Sequence, residues 1–121
     1  MSGQRDESLV LDDIIDAARR LIDLGSDVPT ATIGLDRDHN EMILWNLVVL
    51  GEATKRLDAS TRARFTQVPW SSVARTRDRV THHYEGIDWE TVGQIIDIDL
   101  PVVLKQLVAI RDTLRAEFDA T

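Results

Sequence analysis

Met42-Ile43-Leu44-Trp45-Asn46-Leu47-Val48-Val49-Leu50-Gly51 is the stretch that decides the fold. From Met42 to Leu50 only Asn46 is polar, and the run sits inside a longer helical pattern that begins after Asp36 and reaches about Leu57. Ile43, Leu47, Leu50, Thr54 and Leu57 mark one stripe; Leu44, Val48 and Gly51 mark a neighbouring one. A helix apolar over most of its circumference must be covered on more than one side. In a chain of 121 residues, that predicts a central helix or a subunit interface. Gly51 lowers helix propensity, so its expected role is to permit close packing.

Working outward, Leu11, Ile14, Ile15, Ala18, Leu21 and Ile22 recur at three- and four-residue spacing and predict a helix from about Ser8 to Leu24. Gly25, Pro29 and Gly34 then predict a loop over 25–35. Asp58 or Ser60 is placed to cap a short helix over 61–66 that Pro69 ends, and Ser71 or Ser72 to cap another over 72–83 that Gly86 breaks. Asp88 is a natural N-cap for a last helix starting near Trp89, with Val92, Ile95, Ile96, Val103, Leu107, Ile110 and Leu114 on its apolar face. Pro101 lies inside that pattern and predicts a kink or break around 97–101. No stretch alternates with period two. The expectation is one all-α domain over 1–121, an up-and-down bundle of about four main helices plus a short one, with 1–7 as a flexible N-terminus.

Composition narrows the class. No apolar run is long enough for a membrane span, and the polar, acidic start is unlike a secretory signal. The chain has no cysteine, which excludes thiolate metal sites and disulfides and suits a cytoplasmic protein. The net charge of −7 disfavours nucleic acid at first sight. Its distribution does not: residues 55–79 hold seven basic residues (Lys55, Arg56, Arg62, Arg64, Arg75, Arg77, Arg79) against Asp58 and Asp78. A phosphate-bearing ligand therefore has one place to bind, although for most of these arginines a solvated helix face is the better reading.

The end of that basic stretch, Arg77-Asp78-Arg79-Val80-Thr81-His82-His83-Tyr84, concentrates reactive groups. Histidine can transfer protons near neutrality, and arginine offers a fixed cation with a planar donor fork matched to phosphate oxygens. On a continuous helix Asp78 and His82, four apart, share a face, so the carboxylate could orient the imidazole. Arg77 and His82, five apart, would point about 140° away from each other unless the helix ends there. Each residue also has a structural reading: a helix-end histidine for His82, an ion pair with Asp78 or Glu85 for Arg77, packing on the Trp89 turn for Tyr84. Glu52 is either a solvated helix-edge residue or a carboxylate near this segment. His39 with Asp36, Asp38 and Glu41 reads as capping and solvated charge before a helix, so no metal or cofactor is expected.

The segment matches the R-x4-H-x-Y signature of HepT-like toxins, a branch of the HEPN superfamily of RNases. Val49-Leu50-Gly51-Glu52-Ala53 is similar to the family's Gly-Glu-Ala helix segment, and Val68-Pro69-Trp70 to the Pro-Trp that precedes its motif helix. Tyr84-Glu85-Gly86-Ile87-Asp88-Trp89 and Asp99-Leu100-Pro101 resemble its continuation, in order, so that the resemblance covers about residues 8–118. It implies a HEPN-like helical fold and a metal-independent endoribonuclease toxin of a type VII-like toxin–antitoxin pair. His82 would be the general acid or base and Arg77 the phosphate stabiliser, with Asp78, where the family often has Asn, and Glu52 in supporting places. Tyr84 matches the tyrosine that an MntA-like nucleotidyltransferase antitoxin can adenylylate, and the resemblance also implies a homodimer with its two motifs facing one cleft. The alternative is a non-catalytic helical subunit of a nucleotidyltransferase, in which Arg77 and His82 would hold a nucleotide or a partner.

Overall fold

In the computed structural model the described residues are 5–26, 36–82 and 86–120, with His82 described by its backbone alone. Helix α1 (Glu7–Ser26) starts where the Asp6 carboxylate accepts the Ser8 N–H at 3.0 Å and the Ser8 hydroxyl at 2.6 Å. Its residues Leu11, Ile14, Ile15, Ala18 and Leu21 are sealed from solvent, because α1 packs against both α2 (Arg37–Lys55) and α7 (Leu100–Ala120). The helix at the centre is thus α1. The 42–51 run, expected to form a central helix or a subunit interface, belongs to α2, which buries Ile43, Leu47, Leu50 and Thr54 but leaves Met42 and Trp45 open to solvent.

Asp36 caps α2 as its position predicts, accepting the N–H groups of Asp38 (3.0 Å) and His39 (3.3 Å). The lone polar residue of the apolar run, Asn46, is buried and satisfied, its amide donating to the Met42 carbonyl at 2.8 Å. At Gly51 the helix meets its neighbour backbone to backbone. A Cβ there would lie 2.8 Å from the carbonyl oxygen of Ala74, so only glycine allows this approach without a shift.

The segment expected to be a flexible N-terminus is tied down from Arg5 onward. Glu7 is buried and accepts from the Asp58 N–H (2.7 Å), the Thr61 hydroxyl (3.0 Å) and Arg5 Nε (2.9 Å). Those bonds seat the short helix α3 (Ala59–Arg64) on the start of α1. Asp58 stands at the α3 N-cap, but its carboxylate pairs with Arg5 at 3.0 Å and makes no cap bond.

The largest departure follows. Instead of one helix over 72–83 capped by Ser71 or Ser72, the chain forms α4 (Trp70–Ala74) directly after Pro69, breaks at Arg75, and resumes as α5 (Thr76–Val80). Trp70 fixes the entry by donating its indole N–H to the Phe65 carbonyl at 2.7 Å, while the Thr76 hydroxyl takes the Val73 carbonyl at 2.6 Å. Such a bond from a hydroxyl competes with helix continuation. Thr81 is then extended, and Thr81–His82 (β1) pairs antiparallel with Gly86–Ile87 (β2), Thr81 opposite Ile87 and His82 opposite Gly86. Gly86 takes a positive φ of 83°, and the Asp88 N–H closes on the Val80 carbonyl at 2.7 Å.

Helix α6 (Trp89–Gln94) begins where Asp88 accepts the Thr91 N–H at 3.1 Å. Ahead of Pro101 the α-helix is interrupted, within the region where a kink or break is expected. A π-helical turn over Ile95–Asp99 widens the helix just ahead of the proline, and the chain stays helical into α7. Proline has no N–H to give and its ring crowds the carbonyl four residues back, and an added residue per turn relieves both. The fold is an all-α bundle with one minimal β-ladder at the end of the motif helix.

Candidate active site

Two consecutive stripes of α2 and the exposed face of α5 enclose the candidate site. The inner hollow, about 50 Å³, is lined by Gly51, Glu52, Lys55, Arg75, Arg77 and Asp78, among others. It exists because Gly51 lets α2 ride against α4, which sets the start of α5 beside the end of α2. Glu52, Arg77 and Asp78, three positions singled out from sequence, therefore share one place. Glu52 is already engaged, pairing with Lys55 at 3.2 Å.

Arg77 is exposed and enters no ion pair among the described residues, although Asp78 is adjacent in sequence. That separates it from most of the basic stretch: Arg56 pairs with Asp13 (2.8 Å), Arg64 with Glu117 (2.5 Å) and Arg79 with Asp99 (3.6 Å). Part of the local excess of positive charge is consumed at these points; among the described residues Arg62, Arg75 and Arg77 enter no ion pair, and Arg62 is half-buried whereas Arg75 and Arg77 are exposed. An exposed guanidinium without a carboxylate keeps its donor fork for an incoming anion.

His82 lies in β1, two residues past the end of α5. The relation that would set Asp78 and His82 on one helical face is absent, because the helix ends at Val80; Asp78 gains no orienting role from i, i+4 spacing. The same ending removes the angular obstacle between Arg77 and His82 on a continuous helix. Tyr84 and His83 lie outside the described residues, in the three-residue connection between β1 and β2. His39 serves the cap of α2, its Nδ1 at 3.1 Å from Asp36 Oδ2, and the N–H groups of His39 and Asp38 with this side-chain bond hold the Asp36 carboxyl below its ordinary range.

Sequence reasoning missed Trp45. It is one of eight apolar residues between Met42 and Leu50, yet it is 65 % exposed and lines a second, wider hollow of about 430 Å³ that shares Arg77 with the first. A signal was present: Trp45 is seven residues from Glu52, hence on the same helical face, opposite the buried Ile43–Leu47–Leu50 stripe.

With this geometry in place, comparison with known proteins gives the family. The model of the family described as ribonuclease HepT-like matches residues 13–110. The chain belongs to the ribonuclease HepT-like family. It is thus an RNase by membership, and the matched span includes α2, the Arg77 segment, the β-ladder and the π-helical turn. Among relatives, a Methanocaldococcus jannaschii protein named as a candidate RNase is 30 % identical over 114 residues, 94 % of either chain. A second candidate RNase of that organism is 26 % identical over 87 % of this chain and 96 % of its own. A Thermococcus cleftensis protein assigned as ribonuclease HepT is 24 % identical over 75 % of this chain and 83 % of its own. No solved structure matches the chain at a significant level.

Proposed function

We propose that this HepT-like chain is a metal-independent endoribonuclease in which Arg77 and His82 carry the reaction. The observation behind the reading is Arg77, exposed and without an ion pair among the described residues, in a short helix that stops two residues before His82. Neutral His82 takes the proton of a ribose 2′-hydroxyl, and the 2′-oxygen attacks the adjacent phosphorus. The P–O5′ bond breaks and the leaving oxygen acquires a proton, giving a 2′,3′-cyclic phosphate and a 5′-hydroxyl. Arg77 stabilises the negative charge that gathers on the non-bridging oxygens. Glu52, held by Lys55, and Asp78 border the hollow and set its local field; neither is assigned a proton-transfer step.

The biological setting proposed is a toxin active as a homodimer, paired with an MntA-like nucleotidyltransferase antitoxin that silences it by adenylylating Tyr84. An added nucleotide would bring bulk and negative charge to the edge of a site built to receive phosphate. Family membership favours a catalytic chain over the alternative, a non-catalytic subunit of a nucleotidyltransferase that holds a nucleotide or a partner, because the matching family is one of RNases.

The test is cleavage of single-stranded RNA by purified protein in excess EDTA, with product ends analysed. Cleavage should persist and leave cyclic phosphate, and His82→Ala should lower it by roughly 10²–10⁴-fold with an unchanged circular dichroism spectrum. Undiminished cleavage by His82→Ala would sink the assignment, and an equal loss in the distant Lys105→Ala would expose a contaminating nuclease. Intact mass after co-expression with the nucleotidyltransferase tests the modification: an adenylyl mass on wild type should vanish in Tyr84→Phe.

A further inference from the structure

Trp45 is the most exposed large apolar side chain among the described residues, and it stands in a hollow rather than on a ridge. The hollow is lined by Leu44 and Val48 of α2, by Thr81 and Ile87 of the β-ladder, and by Arg77, which also lines the candidate active site. Its volume of about 430 Å³ falls in the roughly 300–1,000 Å³ range of small-ligand sites. A π-face on an apolar floor beside an uncommitted guanidinium is the donor set for one nucleotide: the ring takes the base by stacking, the cation takes its phosphate.

We propose that Trp45 is the base-binding platform of this RNase, stacking an unpaired base of the substrate strand next to the phosphate held by Arg77. The inference rests on the RNase reading and adds to it a subsite and a substrate class, single-stranded rather than duplex RNA, since a paired base offers no free face. Charge argues for this occupant over a second copy of the chain. Among the described residues the one carboxylate lining the hollow, Glu41, is paired with Arg37 at 3.2 Å, so covering the hollow with an apolar protein surface would strip water from Arg77 without supplying an anion. A strand of RNA supplies the anion together with the base. Stacking on one aromatic ring tolerates any base, so the subsite selects unpaired structure more than sequence.

The experiment uses the full chain and a fluorescent single-stranded 2′-O-methyl oligonucleotide, which lacks the attacking hydroxyl and is not cleaved. Its Kd is measured by anisotropy for wild type, Trp45→Phe and Trp45→Ala, with sedimentation recording the oligomeric state of each. Trp45→Ala should weaken binding about ten-fold, Trp45→Phe should retain most of it, and sedimentation should not change. Wild-type affinity in Trp45→Ala overturns the proposal. So does a change of oligomeric state in that variant, which would give the face to a second copy. Cleavage of ordinary RNA by wild type is read in parallel: cleavage with an unaltered Kd in Trp45→Ala removes the platform alone, whereas oligonucleotide binding lost in Trp45→Ala without any cleavage by wild type removes the RNase reading and leaves the platform.

Discussion

Arg111 on α7 and Arg77 on α5 are both arginines on helices at the edge of the bundle, and they are treated in opposite ways. Arg111 is mostly covered; its guanidinium meets Asp12 at 2.8 Å and Asp112 at 2.8 Å, while Arg115 adds a second bond to Asp12 at 2.5 Å. These contacts bind the last helix to the first, and the Asp12 bond raises the Arg111 pKa further above its already high value. Arg77 stands in the open with no such partner among the described residues. Arg111 spends its donors inside the fold, whereas those of Arg77 stay open to solvent among the described residues. Position in the bundle, more than residue type, distinguishes the two.

That contrast is tested most severely by exchanging the readouts. Arg77→Ala should lower RNA cleavage by roughly 10²–10³-fold, the loss expected when one charge-stabilising donor is removed from a reacting centre. Its unfolding free energy should stay within about 0.5 kcal/mol of wild type, as for surface substitutions generally. Arg111→Ala should do the reverse, costing about 1 kcal/mol of stability with turnover intact at temperatures where both proteins are folded. If Arg77→Ala proves as destabilising as Arg111→Ala, the open guanidinium is a structural group and the distinction collapses.

A smaller effect concerns how the two regions are joined. Gly51 is the point where α2 of the packed bundle touches α4 of the site region, and a side chain there collides with the Ala74 carbonyl, a backbone atom that cannot swing away. Gly51→Val should cost about 1–3 kcal/mol by overpacking. Gly51→Ala sharpens the point, since alanine brings up to about 1 kcal/mol of helix propensity. A net loss of stability in Gly51→Ala, measured by chemical denaturation, would show that the close approach outweighs propensity; a net gain would show that α4 moves aside freely.

The two regions also differ in how far they could be read from the sequence. Period and caps carried α1, α2 and the start of α6, because apolar spacing and the Asp36 and Asp88 caps are local signals acting within a few residues. The exchange of roles between α1 and α2 was not legible. Apolar content says that a face must be covered, whereas which helix lies in the middle depends on what α7 packs against. Arg77, Asp78 and Glu52 are singled out by type and position, and they line one hollow where Gly51, read as permitting close packing, meets α4. The end of α5 at Val80 was missed because Thr76 and Thr81 look like ordinary helix-surface residues. The competing hydroxyl bond and the pairing of Thr81 with Ile87 are decided by residues on the far side of the turn. Trp45 was missed for a related reason: an apolar run does not say which of its members is left uncovered.

The smallest effect expected lies in the acid range and belongs to the stapled region alone. Burial alone would raise the Asp12 pKa, but hydrogen bonds and charge from Arg111 and Arg115 together outweigh it and hold the carboxyl below its ordinary value. Glu117 is lowered likewise by its bonds to Arg64. A carboxylate whose folded pKa lies below its unfolded one binds fewer protons when folded, so its contribution is present above the unfolded value and fades as pH falls toward the folded one. Stability should therefore be flat through neutrality with respect to these two groups and decline below about pH 4. In Asp12→Asn the neutral-pH melting temperature should drop slightly, and the acid limb of the curve of Tm against pH should be shallower than in wild type. Parallel curves for wild type and Asp12→Asn below pH 4 would mean that the Asp12 pairings contribute no more to the fold than the solvated charges around Arg77, and the two regions would then differ in geometry but not in energy.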